Sequence, residues 1–144
     1  MTPQALAESC AAAMWACDAA SPGLGMTLGH VGPGVADVSM TVAPHMLNGH
    51  GTCHGGLIFA LADTAFAFAC NTDGMASVAS HCSISFLSPV PPGAHLVAHA
   101  EERHREGRSG IYDVRVTLEG TTIAEFRGLS RTTGQRVLPD ARPF

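Results

Sequence analysis

Lysine is missing from this chain, and all eight of its basic residues are arginines. Without a lysine amine, Schiff-base catalysis and the phosphate-binding lysine of a P-loop are both excluded. No run of apolar residues approaches the roughly 20 that a membrane-spanning helix needs. The five cysteines are odd in number, form no C-x-x-C pair and follow no secretory signal. We therefore expect reduced thiols in a cytoplasmic protein.

Charge is also scarce. Charged residues make up 14% of the chain and the net charge is −4, which gives no reason to expect nucleic acid or a membrane as a partner. At 144 residues, 46% of them hydrophobic, the chain is long enough for one domain with a substantial core. We expect some of this apolar surface to be buried between subunits.

One acidic residue interrupts a long apolar helix. The pattern predicts a helix from about Gly55 to Cys70, in which Asp63 is the only charged residue. Burying an ionised carboxylate there is costly unless it is paired or used, and burial raises its pKa toward the range of a general base. The helix begins at His54-Gly55-Gly56, where backbone N–H groups without intrahelical partners can bind an oxyanion. These features favour acyl-transfer or hydrolytic chemistry.

The spacing of the two features indicates a dimer. Asp63 lies eight residues after Gly55, which is about 12 Å along a helix axis. A reacting carbonyl needs its oxyanion donor and its base or nucleophile each within about 3 Å. One helix cannot supply both groups to one substrate, but two antiparallel copies related by a two-fold axis can. We therefore predict a homodimer in which Gly55 of one chain faces Asp63 of the other.

The order of predicted elements is typical of an α+β fold. A helix opened by Thr2-Pro3 runs to about Ala20, and the long apolar helix lies between two groups of segments with an alternating, strand-like pattern. These strands are expected at about 26–31, 36–42, 78–86, 94–104, 111–118 and 122–131. A mostly antiparallel sheet of about six strands would then cover one buried helix. We divide the chain into an N-terminal helical segment (1–24), a single domain (25–132) and a loose C-terminal tail (133–144).

The predicted strand 78–86 bears on the site because it is the first strand after the long helix. Its apolar residues share one parity, which predicts one buried face. They are Val78, Cys82, Ile84 and Phe86.

Short motifs along the chain fit this order. They are Leu47-Asn48-Gly49-His50, Cys53-His54-Gly55-Gly56, Leu61-Ala62-Asp63-Thr64-Ala65-Phe66-Ala67, Ala69-Cys70-Asn71, Ser85-Phe86-Leu87 and Phe126-Arg127-Gly128. From about Met26 to Arg131 the chain resembles the PaaI-type phenylacetyl-CoA thioesterases of the hotdog-fold superfamily. That resemblance implies a curved antiparallel sheet wrapped around one central helix, here with an extra N-terminal helix.

The resemblance also implies a role for each of five residues. Asp63 matches the catalytic carboxylate, which acts as a general base on water or as a nucleophile. Gly55 matches the glycine whose N–H polarises the thioester carbonyl. Asn48 and His54 match polar residues that accompany this glycine on the chain opposite Asp63, and Thr64 sits beside the base.

The implied substrate is an acyl-CoA with an acyl group of the phenylacetyl or ring-hydroxylated phenylacetyl kind. The implied enzyme uses neither a metal nor another cofactor and assembles as a homotetramer, a dimer of dimers. Some relatives carry a serine early in the strand after the helix, which helps to hold the water. Here Ala79 matches that position, with Ser80 next to it, so the chain departs from the pattern.

Several residues permit a second interpretation. His50, Cys53 and His54 suggest zinc, although no second pair of ligands completes a four-ligand site. Cys53 aided by a histidine is a conceivable nucleophile. Asn48 followed by glycine can simply close its own turn.

Ligand binding and the class of protein also permit more than one interpretation. Arg103, Arg105 and Arg108 form either a solvated hairpin end or a grip for the phosphates of coenzyme A. A non-catalytic acyl-CoA sensor would not need both Asp63 and the Gly-Gly helix start. A hotdog enoyl-CoA hydratase generally pairs an acidic residue with a catalytic histidine, an arrangement that the motif around Asp63 does not contain.

Overall fold

The fold consists of a six-stranded sheet, one long helix and two N-terminal helices, and the computed structural model describes residues 1–138. The helices are α1 (Pro3–Cys17), α2 (Ala20–Gly23) and α3 (Gly55–Ala69), with a short 3₁₀ turn at Pro44–Met46. The strands are β1 (Thr27–Gly32), β2 (Val35–Thr41), β3 (Met75–Phe86), β4 (His95–Glu106), β5 (Ser109–Leu118) and β6 (Thr121–Arg136). Within these residues, no helix is both long and apolar enough to span a bilayer.

The first helix begins where the sequence predicts. The Thr2 side chain accepts a hydrogen bond from the Ala5 N–H at 3.1 Å, and Pro3 occupies the first turn. A hydroxyl at the N-cap satisfies an N–H that has no intrahelical partner, and proline in the first turn gives up no helical hydrogen bond.

The sheet has the strand order β1-β2-β4-β5-β6-β3, and every neighbouring pair is antiparallel. Helix α3 packs across β2, β4 and β5. Its buried residues are Ile58, Leu61, Ala62, Ala65, Phe66, Phe68 and Ala69. The predicted α+β class, with a curved antiparallel sheet of six strands around a central helix and an added N-terminal helix, is confirmed.

The prediction of one buried face on β3 is wrong at both ends of the strand: Phe86 keeps the parity of Cys82 and Ile84 but is 52% exposed, and the N-terminal end changes face. The register of β3 against β6 shifts between Ala79 and His81. Such a bulge inserts one residue and so moves the preceding side chains to the opposite face. As a result Val78 is 56% exposed, whereas Cys82 and Ile84 are half-buried on the side of the helix.

The C-terminal boundary also differs from the expectation. Strand β6 continues to Arg136, so the first residues of the predicted tail (133–144) belong to the sheet. They pair with the start of β3, where Met75 lies opposite Arg136. Residues 139–144 of the predicted tail lie outside the described residues.

A single glycine sets how closely α3 approaches the sheet. A Cβ added to Gly128 of β6 would lie 2.8 Å from three atoms of the Phe66 ring. Phe66 is almost completely buried and also packs against Tyr112 and Phe126, with ring centroids 5.6 and 5.8 Å away. The ring therefore lies directly on the backbone of β6, and no larger residue fits at position 128.

Gly128→Ala is expected to lower the free energy of unfolding by about 2 kcal/mol or more, because the new methyl group forces the Phe66 ring and α3 away from the sheet. Urea denaturation measures the change. Gly23→Ala is the matched control, since a Cβ there meets nothing within 4 Å, and it should have little effect. Unchanged stability of Gly128→Ala would contradict this account of the packing.

Candidate active site

The start of α3 presents an unused hydrogen-bond donor. The ring Nδ1 of His54, the N-cap residue, accepts a hydrogen bond from the Gly56 N–H at 2.9 Å. Among residues 1–138 no group accepts from the Gly55 N–H. A free N–H at a helix N-terminus favours negative charge nearby. His54 thus orders the helix start, and Gly55 keeps the donor that an oxyanion would need.

A groove of about 290 Å³ opens beside this donor. It is lined mostly by apolar side chains and by the Asn48 and Gly55 positions. The ring of Phe86 forms one side: a Cβ placed on Gly55 would lie 3.1 Å from its Cζ atom. Phe86 and Leu87 are 52% and 56% exposed, so two large apolar side chains stand in the open next to the Gly55 N–H.

Asn48 lines the same groove, but most of its hydrogen bonds are made within its own loop. Its Oδ1 atom accepts from the backbone N–H groups of His50 at 2.9 Å and Thr52 at 3.2 Å. Its Nδ2 atom donates to the Thr52 hydroxyl at 3.0 Å. Within one chain, Asn48 therefore stabilises the loop that leads into α3. This is the turn-closing role that the sequence offered as the alternative interpretation of Asn48.

Asp63 lies two turns further along α3 and is half-buried. Burial raises the pKa of its carboxyl above the ordinary value, and a contact from the Cys82 thiol offsets part of that rise. The Cys82 Sγ atom is 3.9 Å from Asp63 Oδ1. Asp63 and Gly55 are about 12 Å apart along the helix. The structure therefore does not bring Asp63 together with Gly55, Asn48 or His54 within one chain.

Thr64 is directed toward the N-terminal segment. Its hydroxyl donates to the Ala60 carbonyl at 2.8 Å and lies 3.5 Å from the Ser21 Oγ of α2. Adjacent helical residues project about 100° apart around the axis, which is why Thr64 does not share the surroundings of Asp63.

Ser80 also makes its hydrogen bond away from Asp63. It is next to Ala79, the position where some relatives carry a serine. It lies at the bulge of β3, and its hydroxyl donates to the Leu129 carbonyl at 3.1 Å.

The interpretations based on cysteine and metal receive little support from the geometry. Cys53 is buried, its thiol points to the His54 carbonyl at 3.7 Å, and burial raises its pKa, so the thiolate that a nucleophile requires is disfavoured. In the part of the chain that the structure describes, His, Cys, Asp and Glu side chains form no group of three that could hold a metal ion.

The arginines of the predicted cluster pair with groups of the same chain. Arg103 contacts the carboxylates of Glu101 and Asp113, and Arg105 lies 3.0 Å from the Asp73 carboxylate. The remaining member of the cluster, Arg108, donates to a backbone carbonyl of β6. The structure thus favours the interpretation of this cluster as a hairpin end over a phosphate grip.

Sequence reasoning missed one neighbour of the candidate carboxylate, Cys82. The signal was present, because Cys82, Ile84 and Phe86 share a parity that directs them toward α3. Which of them meets Asp63 depends on the register of β3 against the helix, and periodicity does not specify that register.

Known proteins share this fold, and their sequence similarity to the chain extends over its long helix. Residues 50–125, which include all of α3, match the Thioesterase superfamily. The chain belongs to this family of hotdog-fold enzymes and is a thioester hydrolase of the PaaI type. It is 46% identical to the acyl-coenzyme A thioesterase PaaI of Escherichia coli K12 over 90% of this chain and 93% of that protein.

Solved structures show the same similarity. The E. coli PaaI protein from the phenylacetic acid degradation operon superposes with a TM-score of 0.92 at 44% identity, covering 94% of this chain and 99% of that one. A mutant of the phenylacetic acid degradation protein PaaI from Thermus thermophilus gives 0.77 at 39% identity, covering 79% and 98%. A Streptococcus mutans protein bound to acetyl CoA gives 0.74 at 26% identity, covering 77% and 90%.

The raised pKa of Asp63 has a consequence for stability. Because its folded pKa lies above the unfolded value, the ionised carboxylate destabilises the fold at neutral pH, and this penalty disappears as the pH falls and the folded protein takes up the proton. Asp63→Asn should therefore raise the melting temperature at about pH 7, with a smaller gain near pH 4, where the native Asp63 becomes protonated.

The control has the opposite sign. Arg127 holds the pKa of Asp113 below its usual value through a hydrogen bond. Asp113→Asn should therefore lower the melting temperature at neutral pH. A stabilising Asp113→Asn, or a destabilising Asp63→Asn, in calorimetry would contradict this assignment of the two carboxylates.

Proposed function

We propose that this thioesterase hydrolyses an acyl-CoA with an aromatic acyl group, of the phenylacetyl or ring-hydroxylated phenylacetyl kind, to the free acid and CoA. The observation that carries the proposal is the pair of groups on α3: a half-buried carboxylate with a raised pKa and a helix-start N–H left free among residues 1–138. An exposed aromatic ring beside that N–H, Phe86, supports an aryl substrate, since aromatic rings pack well on one another. The E. coli relative from the phenylacetic acid degradation operon has the same fold.

The proposed reaction needs only these groups and water. The Gly55 N–H donates to the thioester carbonyl oxygen and stabilises the negative charge that develops there. Asp63 accepts a proton from water as the water oxygen bonds to the carbonyl carbon, the C–S bond breaks, and the proton passes to the departing CoA thiolate. Direct attack by Asp63 would instead give an anhydride that water then opens. In both routes CoA is part of the substrate and no cofactor is used, and we expect the enzyme in the cytoplasm, where CoA esters are supplied.

Two chains are needed to bring these groups to one substrate. The distance of about 12 Å between Gly55 and Asp63 along α3 is several times the reach of a hydrogen bond. We therefore assign Gly55, with Asn48 and His54 ordering the loop and helix start around it, to one chain, and Asp63 with the neighbouring Thr64 to its partner.

The outer edge of β3 is the surface that suits such a dimer. β3 is the last strand of the sheet, and an edge strand presents unpaired N–H and C=O groups that can pair with another chain. Three of the large apolar side chains that are exposed in the described residues lie on β3 or directly after it: Val78, Phe86 and Leu87. Exposed apolar groups of this kind mark interaction surfaces.

The contacts of β3 with α3 suggest the position of the two-fold axis. Cys82 contacts Asp63, and Phe86 lies against Gly55. Four strand residues span about 13 Å and eight helical residues about 12 Å, so the two contacts are separated by a similar distance on both elements. β3 therefore runs antiparallel to α3 along this stretch. An axis passing near Ile84, midway along this stretch, would place Phe86 of one chain beside Cys82 of the other and so bring Gly55 to Asp63. A tetramer built from two such dimers stays a prediction from the resemblance.

The substrate and the role of Asp63 are tested by thiol release from phenylacetyl-, benzoyl-, hexanoyl- and acetyl-CoA. Asp63→Ala should lower kcat/KM for the aryl thioester at least about 100-fold, a loss of roughly 2.7 kcal/mol of transition-state stabilisation. Asp37→Ala, which removes an acidic residue from the outer face of β2, is the control and should retain activity.

Two results would overturn parts of this proposal. A clear preference for hexanoyl- or acetyl-CoA would reject the aryl substrate. Binding of CoA esters without thiol release from any of them would reject catalysis and favour an acyl-CoA sensor.

A proline at position 55 removes the N–H, and an alanine there controls for the added carbon atoms. Proline is tolerated at the first helical position, and His54 already has the extended backbone (φ −61°, ψ 130°) that a following proline requires. Gly55→Pro should lower kcat about 100-fold, whereas Gly55→Ala, which adds a similar Cβ next to Phe86 but keeps the N–H, should lose far less.

Mixed dimers test whether the site is shared. Coexpressed Asp63→Ala and Gly55→Pro chains would form heterodimers with one intact site, and their activity should greatly exceed that of either homodimer. Mixed dimers as inactive as the separate variants would reject the shared site.

A further inference from the structure

The thiol of Cys82 is the group that contacts the Asp63 carboxylate. Its Sγ atom lies 3.9 Å from Oδ1, at the long end of the range for a thiol donor, and both side chains are partly buried. Within residues 1–138 this is the single side-chain hydrogen bond to Asp63. Among the same residues, no side chain donates to the second oxygen, Oδ2.

The close packing at Gly128 is what brings the two groups together. Cys82 of β3 lies directly opposite Gly128 of β6 in the sheet. Phe66 rests on Gly128, and Asp63 is one helical turn before Phe66 on the same face of α3. The contact between Cys82 and Asp63 therefore depends on rigid elements, a helix and two paired strands, and not on a loop.

The thiol of this pair stays protonated at neutral pH. Burial and the neighbouring Asp63 charge both raise the pKa of the Cys82 thiol, so the sulfur keeps its proton when Asp63 is ionised. A protonated thiol is a donor, and a weak one. It can therefore orient a carboxylate without removing much of its basicity, whereas a strong donor such as an arginine would lower the basicity that a general base needs.

The titratable groups nearest to this pair on the neighbouring elements do not compete with it. Cys70, at the C-terminal end of α3, is deeply buried, and burial raises its pKa to about 12, so it is uncharged at neutral pH. Tyr112 of β5 reaches the inner face, but its hydroxyl is bonded to Glu102. On β2 and β4, the side chains that face the helix are apolar, such as Val38 and Ala98.

We propose that Cys82 is a positioning residue for hydrolysis: its S–H holds Oδ1 of Asp63 so that Oδ2 faces the attacking water. This role rests on the proposed function of Asp63. It is distinct from nucleophilic catalysis, because the thiol never loses its proton and forms no bond to the acyl group.

The test is the pH dependence of kcat/KM in the full-length enzyme. In Cys82→Ala the carboxylate loses a donor to its charged form, so the acid limb should move to higher pH by about half a pH unit, with a fall of about 3- to 10-fold on the plateau. Cys82→Ser, which retains a donor, should return the acid limb toward that of wild type. Cys70→Ala removes a buried thiol bonded to the Ala67 carbonyl and should leave the acid limb in place.

An infrared measurement checks the contact without relying on activity. The S–H stretching band that is lost in Cys82→Ala should lie at the lower frequency typical of a bonded thiol, and it should move to higher frequency in Asp63→Ala. An acid limb that does not move in Cys82→Ala, in an enzyme that Asp63→Ala inactivates, would overturn the role of Cys82 alone. Full activity of Asp63→Ala would overturn the proposed function and this role together.

Discussion

The packing of α3 on the inner face of the sheet is the constraint on which the rest of the structure depends. The ring of Phe66 lies on the backbone of Gly128 with no room for a Cβ. That contact sets the distance between helix and sheet, and through it the burial of Asp63 one turn earlier. It also sets which residue of β3 meets the carboxylate. A wider separation would admit water around Asp63 and restore an ordinary pKa.

The same helix carries two features that do not favour stability. An ionised carboxylate is held half-buried, and the first backbone N–H lacks an acceptor within the described residues 1–138. Both are tolerated because seven other residues of α3, between Ile58 and Ala69, are buried. Local departures from the most stable arrangement are typical of sites that act on a substrate. Here they occur two turns apart on one rigid element, which is the geometric reason for proposing a site shared between two chains.

Features that depend on neighbouring residues could be predicted from the sequence, whereas features that depend on strand register could not. The N-cap at Thr2, the extent of α3 and the alternation of β4, β5 and β6 were all predictable, because each depends on residues close together in the chain. The exposed position of Val78 and the extension of β6 to Arg136 were not, since a bulge and a long antiparallel pairing depend on strand register. For the same reason, the ion pairs of Arg103 and Arg105 could not be deduced from their spacing.

The sequence by itself determined that this chain has a long apolar helix with a glycine start and one carboxylate, and that its strands form an antiparallel sheet. Helical and strand periodicity, capping and the cost of a buried charge are local properties that residue order encodes directly. Only the tertiary structure decided that Cys82 is the neighbour of Asp63, that Asn48 closes its own loop and that Thr64 faces α2. The Cys82 contact depends on how closely α3 approaches the sheet and on the register of β3 against β6. The Thr64 contact joins α3 to a distant segment of the chain, whereas Asn48 bonds within its own loop and the structure chose between two alternatives that its sequence left open.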